Sequence, residues 1–371
     1  MTIIYLYRSL AAFGGVERIF IDKANYLAEH YGYHVYIITW EQGGHSIVYP
    51  LSPKVTHVDW GILFYRQYQY GLFKRMFMQW KMEKEFFKKL SNFVHTTQAD
   101  IVIGASCEFT TMAGMDLLQR KTHTILETHS MRTSIEKNNP PAGNLLMRWA
   151  FKRRDKQLHQ YIKHMSAFVT LTHNDAKDWS DITPQARIIP NMLHRYPAEI
   201  SPDKKTQKRI ITAGRLVEQK GYDLLLDAWS KVHQKHPEWI LDIYGEGEDK
   251  TMLLEKRKNL ALENSVLFHP PTLDIYQKYM DSDFYVMSSR FEGFGLVLAE
   301  AMSCGIPCVS FDCPHGPSDI IKDYEDGLLV EKENIKELAD KICYLIENEN
   351  VRIKMGHKAR ENVKRFLPEN V

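Results

Sequence analysis

Short apolar runs recur along the chain, and each is followed by a polar turn or a stretch with helical spacing. IIYLY (3–7) comes first. GVERIFIDKANYLAEHYG (15–32) follows it, with Ile19, Ala24 and Leu27 on one side of a helix. Further β-rich runs lie at 34–40, 99–106, 123–128 and 167–172. Strands that are apolar throughout, with helices between them, predict a parallel sheet covered on both faces. Residues 190–207 interrupt the rhythm, and their three prolines and polar cluster predict a linker. The alternation then restarts, with strand-like runs at 209–214, 239–245, 265–269, 284–289, 307–312 and 326–330. Two successive α/β units of similar build predict two doubly wound, Rossmann-like domains facing each other across a cleft.

Length agrees, since 371 residues suit two domains. Composition, 44% apolar and 25% charged, is ordinary for a globular protein. The start, MTIIYLYRSLAAFGG, lacks the basic and long apolar regions of a secretory signal. No run approaches the roughly 20 apolar residues of a membrane span, so the expectation is a cytoplasmic protein. Cys107, Cys304, Cys308, Cys313 and Cys343 are too scattered for a disulfide framework and match no common zinc spacing. Free thiols and no metal site are expected. The net charge of +2 hides an asymmetry: residues 1–190 hold 23 Lys/Arg against 16 Asp/Glu, and 191–371 hold 25 against 30. The first half can therefore face an anionic partner.

Ligands of such sheets bind beyond the carboxyl ends of the strands, so the loops there are where chemistry is expected. After the first run, Gly14 and Gly15 precede a helix. Such a turn either admits an anion to the helix N-terminus or is a plain tight turn. After the first run of the second half, GRLVEQKGYDLLLDAW (214–229) offers Arg215 and Lys220. Two fixed cations at a strand end suit a diphosphate, although two solvated cations would read the same. Gly245 and Gly247 in YGEGEDK form only part of a dinucleotide fingerprint, because Lys250 stands where a third glycine is needed. They still permit close approach of a ligand.

RFEGFGLVLAEAMSCGIPCV (290–309) carries the most chemistry. Glu292 lies in a loop and Glu300 eight positions on, within the helix that Gly305 and Pro307 stop. Gly293 and Gly295 let backbone donors lie against a ligand, and the helix N-terminus favours phosphate. A carboxylate accepts hydrogen bonds from a sugar diol. One acid can then hold the sugar being moved and the other the ribose, with a diphosphate between them.

Three segments together, GRLVEQKG (214–221), EGFGLVLAEAM (292–302) and CPHGPSDII (313–321), resemble the retaining nucleotide-sugar glycosyltransferases of family four, which have the GT-B fold. Gly14-Gly15-Val16-Glu17-Arg18 resembles the N-terminal loop of that family. The resemblance implies that Arg215 and Lys220 bind the diphosphate, that Glu292 contacts the transferred sugar and that Glu300 binds the ribose hydroxyls. It implies that Phe294, Gly295 and Leu296 offer backbone to sugar and phosphates, that Gly15 lies near the phosphates, and that His129, in ETHS after a strand, lies near the donor sugar. Glu218 matches a position near acceptor or sugar. Asp319 stands where the family often has Glu, one methylene longer. Of the domains, 1–190 is implied to be the acceptor side and 191–355 the nucleotide-sugar side. Residues 356–371 are implied to form a helix that packs back toward the first domain. Relatives commonly run on past Leu367–Val371, so the resemblance implies a shortened end.

The segment 313–321 looks like that of bacterial enzymes building capsule, O-antigen or lipid-linked oligosaccharides. The implied activity is transfer of a hexose or N-acetylhexosamine, with retention, from a UDP-sugar to a glycan or polyprenyl-diphosphate-linked acceptor. No cofactor is implied beyond this co-substrate, and no metal, since the cations can meet the leaving group. The alternatives are an epimerase or hydrolase of the same fold, or a non-catalytic nucleotide-sugar-binding protein. A dinucleotide oxidoreductase is disfavoured by the incomplete glycine pattern.

Residues 60–90 stand apart. They hold ten aromatics and seven Lys/Arg (Arg66, Lys74, Arg75, Lys81, Lys84, Lys88, Lys89) against Glu83 and Glu85. Phe73, Phe77, Trp80 and Phe87 can form one helical stripe, which either packs in the core or lies on an anionic membrane surface. No nucleic-acid recognition motif accompanies it. A peripheral place on the inner face of the cytoplasmic membrane is compatible with this stretch.

Overall fold

The computed structural model describes residues 1–12, 14–105, 107–118, 122–129, 132, 145–198 and 206–371. The chain divides into two compact units, Met1–Ile189 and Pro190–Val371. Of the expected linker at 190–207, residues 199–205 lie outside the described residues.

Among the described residues, the first unit contains a seven-stranded sheet. Its strands are β1 (Thr2–Leu6), β2 (His34–Thr39), β3 (Val55–Asp59), β4 (Ile101–Gly104), β5 (His123–Glu127), β6 (Ala167–Thr170) and β7 (Arg187–Ile188). The order is β3-β2-β1-β4-β5-β6-β7, and every pair is parallel. Among the described residues its α-helices are α1 (Gly15–His30), α2 (Leu72–Thr97), α3 (Phe109–Asp116), α4 (Leu145–His164) and α5 (His173–Asp178). β1 shows why its residues are apolar throughout. Ile4 and Leu6 join one buried cluster, with Phe86 and Leu90 of α2. Ile3 and Tyr5 join another, with Phe20 and Ala24 of α1. Successive side chains point to opposite faces, and both faces are covered. β3 and β7 are strands that the apolar pattern does not announce. β3 alternates Val with Thr and His at the sheet edge, and β7 is two exposed residues.

The second unit repeats the plan with a six-stranded sheet among the described residues. The strands are β8 (Arg209–Ala213), β9 (Ile240–Tyr244), β10 (Val266–His269), β11 (Phe284–Met287), β12 (Cys308–Asp312) and β13 (Gly327–Glu331). They lie in the parallel order β10-β9-β8-β11-β12-β13. The helices are α6 (Tyr222–Lys235), α7 (Lys250–Asn259), α8 (Ile275–Met280), α9 (Leu296–Ser303), α10 (Pro317–Ile320), α11 (Ile335–Glu347) and α12 (Glu349–Asn362). The largest fully buried side chain, Trp229 of α6, satisfies its indole N–H on Ser265 Oγ at 3.2 Å. α11 begins at a capping pair: the Asn334 side chain accepts from the Glu337 N–H, and Glu337 accepts from the Glu331 N–H.

The end of the chain is bound into this second unit. The Leu193 N–H donates to the Phe366 carbonyl at 2.6 Å, and the Phe366 ring meets Phe294 edge-on at 5.4 Å. After α12 a short 3-10 helix, Val363–Phe366, leads to the end of the chain.

In each sheet the chain leaves the middle strand toward one side and later returns to its other side. β1 lies between β2 and β4, and β8 between β9 and β11. These are topological switch points, where the loops after the two central strands diverge and leave room for a ligand.

Candidate functional site

In the second unit the switch-point loops are 214–221, after β8, and 288–295, after β11. They are stitched to each other. The Arg290 N–H donates to the Gln219 carbonyl at 2.8 Å, and Gln219 Nε2 donates to the Phe291 carbonyl at 3.0 Å. Ser288 Oγ donates to the Lys220 carbonyl at 3.0 Å. Arg290 forks onto Asp223 at 2.8 and 2.7 Å and also donates to the Glu218 carbonyl. Gly221 makes this possible. Its φ is +62°, and a Cβ there would stand 2.1 Å from the Ser288 carbonyl oxygen. Any other residue would push the two loops apart.

The stitching brings Lys220 to Glu292. Lys220 Nζ lies 2.7 Å from Glu292 Oε1, and Ser289 Oγ donates to the same oxygen at 2.6 Å. Glu292 is buried, as is most of Lys220. Arg215 is exposed five residues upstream on the same loop, and among the described residues it has no ion-pair partner. Glu300 is buried in α9, where the Tyr279 hydroxyl donates to its Oε2 at 3.5 Å. Burial, and then the Glu300 charge, push the Tyr279 phenol up, so it stays protonated as a donor. The four side chains named from sequence thus belong to the two adjacent βα units at the switch point. Lys220 and Glu292 touch, and Arg215 and Glu300 are held separately.

The remaining positions divide by what they present. Gly295 caps α9 with φ +88°, a left-handed turn that lets the backbone enter the helix with Leu296. The Phe294 side chain is buried against Phe366, so only its backbone is available to a ligand. Gly245 is buried, and the group a Cβ there would strike is the Gly214 carbonyl oxygen, at 2.0 Å. Gly245 therefore packs β9 against the 214–221 loop. Glu218 is exposed, and Asp319 lies in the short α10. Cys304, Cys308, Cys313 and Cys343 are buried free thiols, and Cys107 is a partly exposed one.

In the first unit Gly15 opens α1 with nothing within 4 Å of where a Cβ would stand. The Tyr7 hydroxyl donates to Glu17 in the same turn at 3.0 Å. A cavity of about 350 Å³ lies there, lined by Tyr7, Arg8, Ser9, Ala12 and Glu17 among others. His129 follows β5 with its side chain buried, its Nε2 3.4 Å from Glu127 Oε2. Neither ring nitrogen has a hydrogen bond among the described residues. Lys23 Nζ donates to Glu127 Oε2 at 3.0 Å. Burial alone would raise the Glu127 carboxyl, but Lys23 and then His129 outweigh it and hold it at about 2.

Sequence spacing did not single out Ser289, Gln219 or Arg290. Each acts on a partner in the other loop or on a neighbouring carboxylate, and the two loops are some 70 residues apart in the chain.

Comparison with known proteins finds similarity in sequence and in fold. Residues 198–362 match the family model of the glycosyl transferases group 1. An uncharacterized glycosyltransferase of Haemophilus influenzae is 29% identical over 96% of this chain and 93% of its own length. The amylovoran biosynthesis glycosyltransferase AmsD of Erwinia amylovora is 38% identical over 48% of this chain, an alignment that spans 49% of that relative. Among solved structures, Anabaena HepE in complex with UDP and glucose superposes with a TM-score of 0.74 at 16% identity, over 98% of this chain and 95% of its own. That likeness is one of fold. The match to the glycosyl transferases group 1 thus lies in the second half of the chain, and the two Rossmann-like domains have the GT-B fold.

Proposed function

We propose that this chain transfers a hexose or N-acetylhexosamine from a nucleotide sugar, a UDP-sugar by preference, to a glycan or polyprenyl-diphosphate-linked acceptor in surface-polysaccharide synthesis on the cytoplasmic side. The observation that carries the reading is the Lys220–Glu292 pair at the switch point, with exposed Arg215 on the same loop. The name of AmsD supports a polysaccharide product, and the UDP and glucose held by HepE support the donor class.

In this reading the bond between the sugar's anomeric carbon and the β-phosphate oxygen breaks, and its electron pair stays on that oxygen. The acceptor hydroxyl oxygen bonds to the same face of the carbon, so configuration is retained. Its proton passes to the departing phosphate. Charge grows on the phosphate as this happens. Arg215, Lys220 and the N-terminus of α9 at Gly295 and Leu296 supply fixed positive charge and donors to meet it. These groups make a divalent ion unnecessary. Glu292 has its Oε1 anchored by Lys220 and Ser289, which leaves Oε2 to accept from a sugar hydroxyl. Glu300, steadied by Tyr279, takes the ribose hydroxyls. His129, the position that the resemblance puts near the donor sugar, has its Nε2 beside Glu127 and its Nδ1 without a hydrogen-bond partner among the described residues.

A release assay tests the reading: a panel of UDP- and GDP-sugars, each with and without a polyprenyl-diphosphate glycan. Acceptor-dependent release of UDP with a new α-linked product supports it. Donor turnover without acceptor points to the hydrolase or epimerase alternative.

A further inference from the structure

α2 runs from Leu72 to Thr97, yet its first buried residue is Phe86. The roughly four turns before it bury no side chain fully. Those turns are nevertheless strongly apolar. Leu72, Phe73, Met76, Phe77 and Trp80 are between 56% and 86% exposed. At the helical angle of ~100° per residue these five fill one arc of about 140°. Tyr65 and Tyr68, in the short 3-10 helix Phe64–Gln69 just before α2, are exposed as well. One exposed apolar side chain needs no explanation, but a contiguous ridge marks a surface that binds something.

The stripe expected from sequence is therefore two stripes. Phe86, Leu90 and Val94 pack into the first unit, with Phe87 half-buried beside them. Phe73, Phe77 and Trp80 point to solvent. Cations border the exposed ridge and rest on its aromatics: Lys74 lies 4.3 Å from the Tyr70 ring centre, Arg75 4.1 Å from Tyr68, and Lys84 5.3 Å from Trp80. Among the described residues Lys74, Arg75, Lys81, Lys84 and Lys88 have no acidic partner. Protein–protein interfaces are poor in lysine relative to the rest of the surface. A ridge of Leu, Phe, Met and Trp edged by unneutralised lysines instead fits a layer with an apolar interior beneath negative headgroups.

We propose that the first half of α2 lies in the interface of an anionic lipid membrane, with Phe73, Phe77 and Trp80 inserted and Lys74, Arg75, Lys81 and Lys84 against the headgroups. This goes beyond the donor-site reading and does not depend on it.

Flotation of the full chain with vesicles tests the proposal, using pure phosphatidylcholine and phosphatidylcholine mixed with phosphatidylglycerol. The protein should float with the anionic vesicles, poorly with the neutral ones, and less as salt is raised. Joint Lys74→Ala and Lys81→Ala should weaken the apparent affinity about 30-fold. Joint Phe73→Ser, Phe77→Ser and Trp80→Ser should abolish flotation while leaving Tm and UDP binding unchanged. Failure of the wild-type chain to float with anionic vesicles overturns the proposal. So does flotation of the triple-serine protein at the wild-type level. A wild-type dimer that this variant converts to monomer would assign the ridge to a second copy of the chain instead. Should the serine variant not fold, the lysine variant and the salt series carry the same decision.

Discussion

Lys23 and Lys220 meet their glutamates in much the same way. Lys23 Nζ stands 3.0 Å from Glu127 and Lys220 Nζ 2.7 Å from Glu292, and all four side chains are at least mostly buried. Each glutamate oxygen is shared with a second group, His129 in the first case and Ser289 in the second. The difference is in what carries them. Lys23 belongs to the middle of α1 and Glu127 ends β5, so that pair clamps a helix to a sheet. Lys220 and Glu292 both belong to switch-point loops, next to the N-termini of α6 and α9. The chemistry of an ion pair does not by itself say whether it holds the fold or handles a ligand. Its position relative to the sheet's switch point is what supports the proposed ligand role of Lys220 and Glu292.

The sharpest way to break this distinction is to remove each cation and ask what is lost. Lys220→Ala and Arg215→Ala should each lower kcat by at least ~10²-fold, the scale of losing one charge-stabilising donor. Tm should move little for Arg215→Ala, because its side chain is exposed. Near-normal turnover in both variants would return these residues to the status of surface cations.

Glu127→Gln should do the opposite, costing about 3 kcal/mol of stability, because it leaves the Lys23 cation mostly buried and unpaired. The pH dependence has a definite sign. The folded carboxyl titrates at about 2, below its ordinary 4.5. Its stabilisation is therefore complete above pH ~4.5 and fades as pH falls toward ~2. Urea titrations of wild type and Glu127→Gln at neutral pH and near pH 3 should show the gap between them narrowing in acid. A constant gap would mean that the carboxylate charge is not what stabilises.

Ser289→Ala is a smaller perturbation. It removes one hydrogen bond to a charged oxygen, worth about 1.5 kcal/mol, and leaves Lys220 in place. Turnover should fall roughly tenfold with nucleotide affinity unchanged, and Ser289→Thr should restore part of it. An equal loss of UDP affinity would mean that Ser289 supports the loop rather than the orientation of Glu292. The smallest expected effect is none at all: activity should survive EDTA. Loss on chelation, restored by Mn²⁺, would replace the cation pair by a metal as the group that meets the leaving phosphate.

How much of this was legible in the letters depended on whether the information was local. The strands buried on both faces were, because apolar residues in succession need cover on two sides: β8 lies within its marked run, and β1 is offset from its run by one residue. β3 was not, because an edge strand with Thr56 and His57 among its five residues has no apolar run. Lys220 and Glu292 were visible as types at strand ends, but the bond between them depends on Gly221 fitting under the Ser288 carbonyl, a contact across distant segments. Arg290 was overlooked for the same reason, and Ser289 because a serine three positions before a glutamate carries no signal of its own. In α2 the aromatics of the core and of the exposed ridge share one helix, and spacing alone cannot separate Phe86 from Phe77. Only the packing shows where the sheet stops covering the helix.

The central claim is that Arg215 and Lys220 hold the β-phosphate of the donor. Calorimetric titration of the nucleoside diphosphate and monophosphate of the preferred base, into wild type and the Arg215→Ala, Lys220→Ala double variant, isolates that phosphate. The account predicts that wild type binds the diphosphate more tightly than the monophosphate, and that this preference collapses in the double variant. An undiminished preference in the double variant would contradict it.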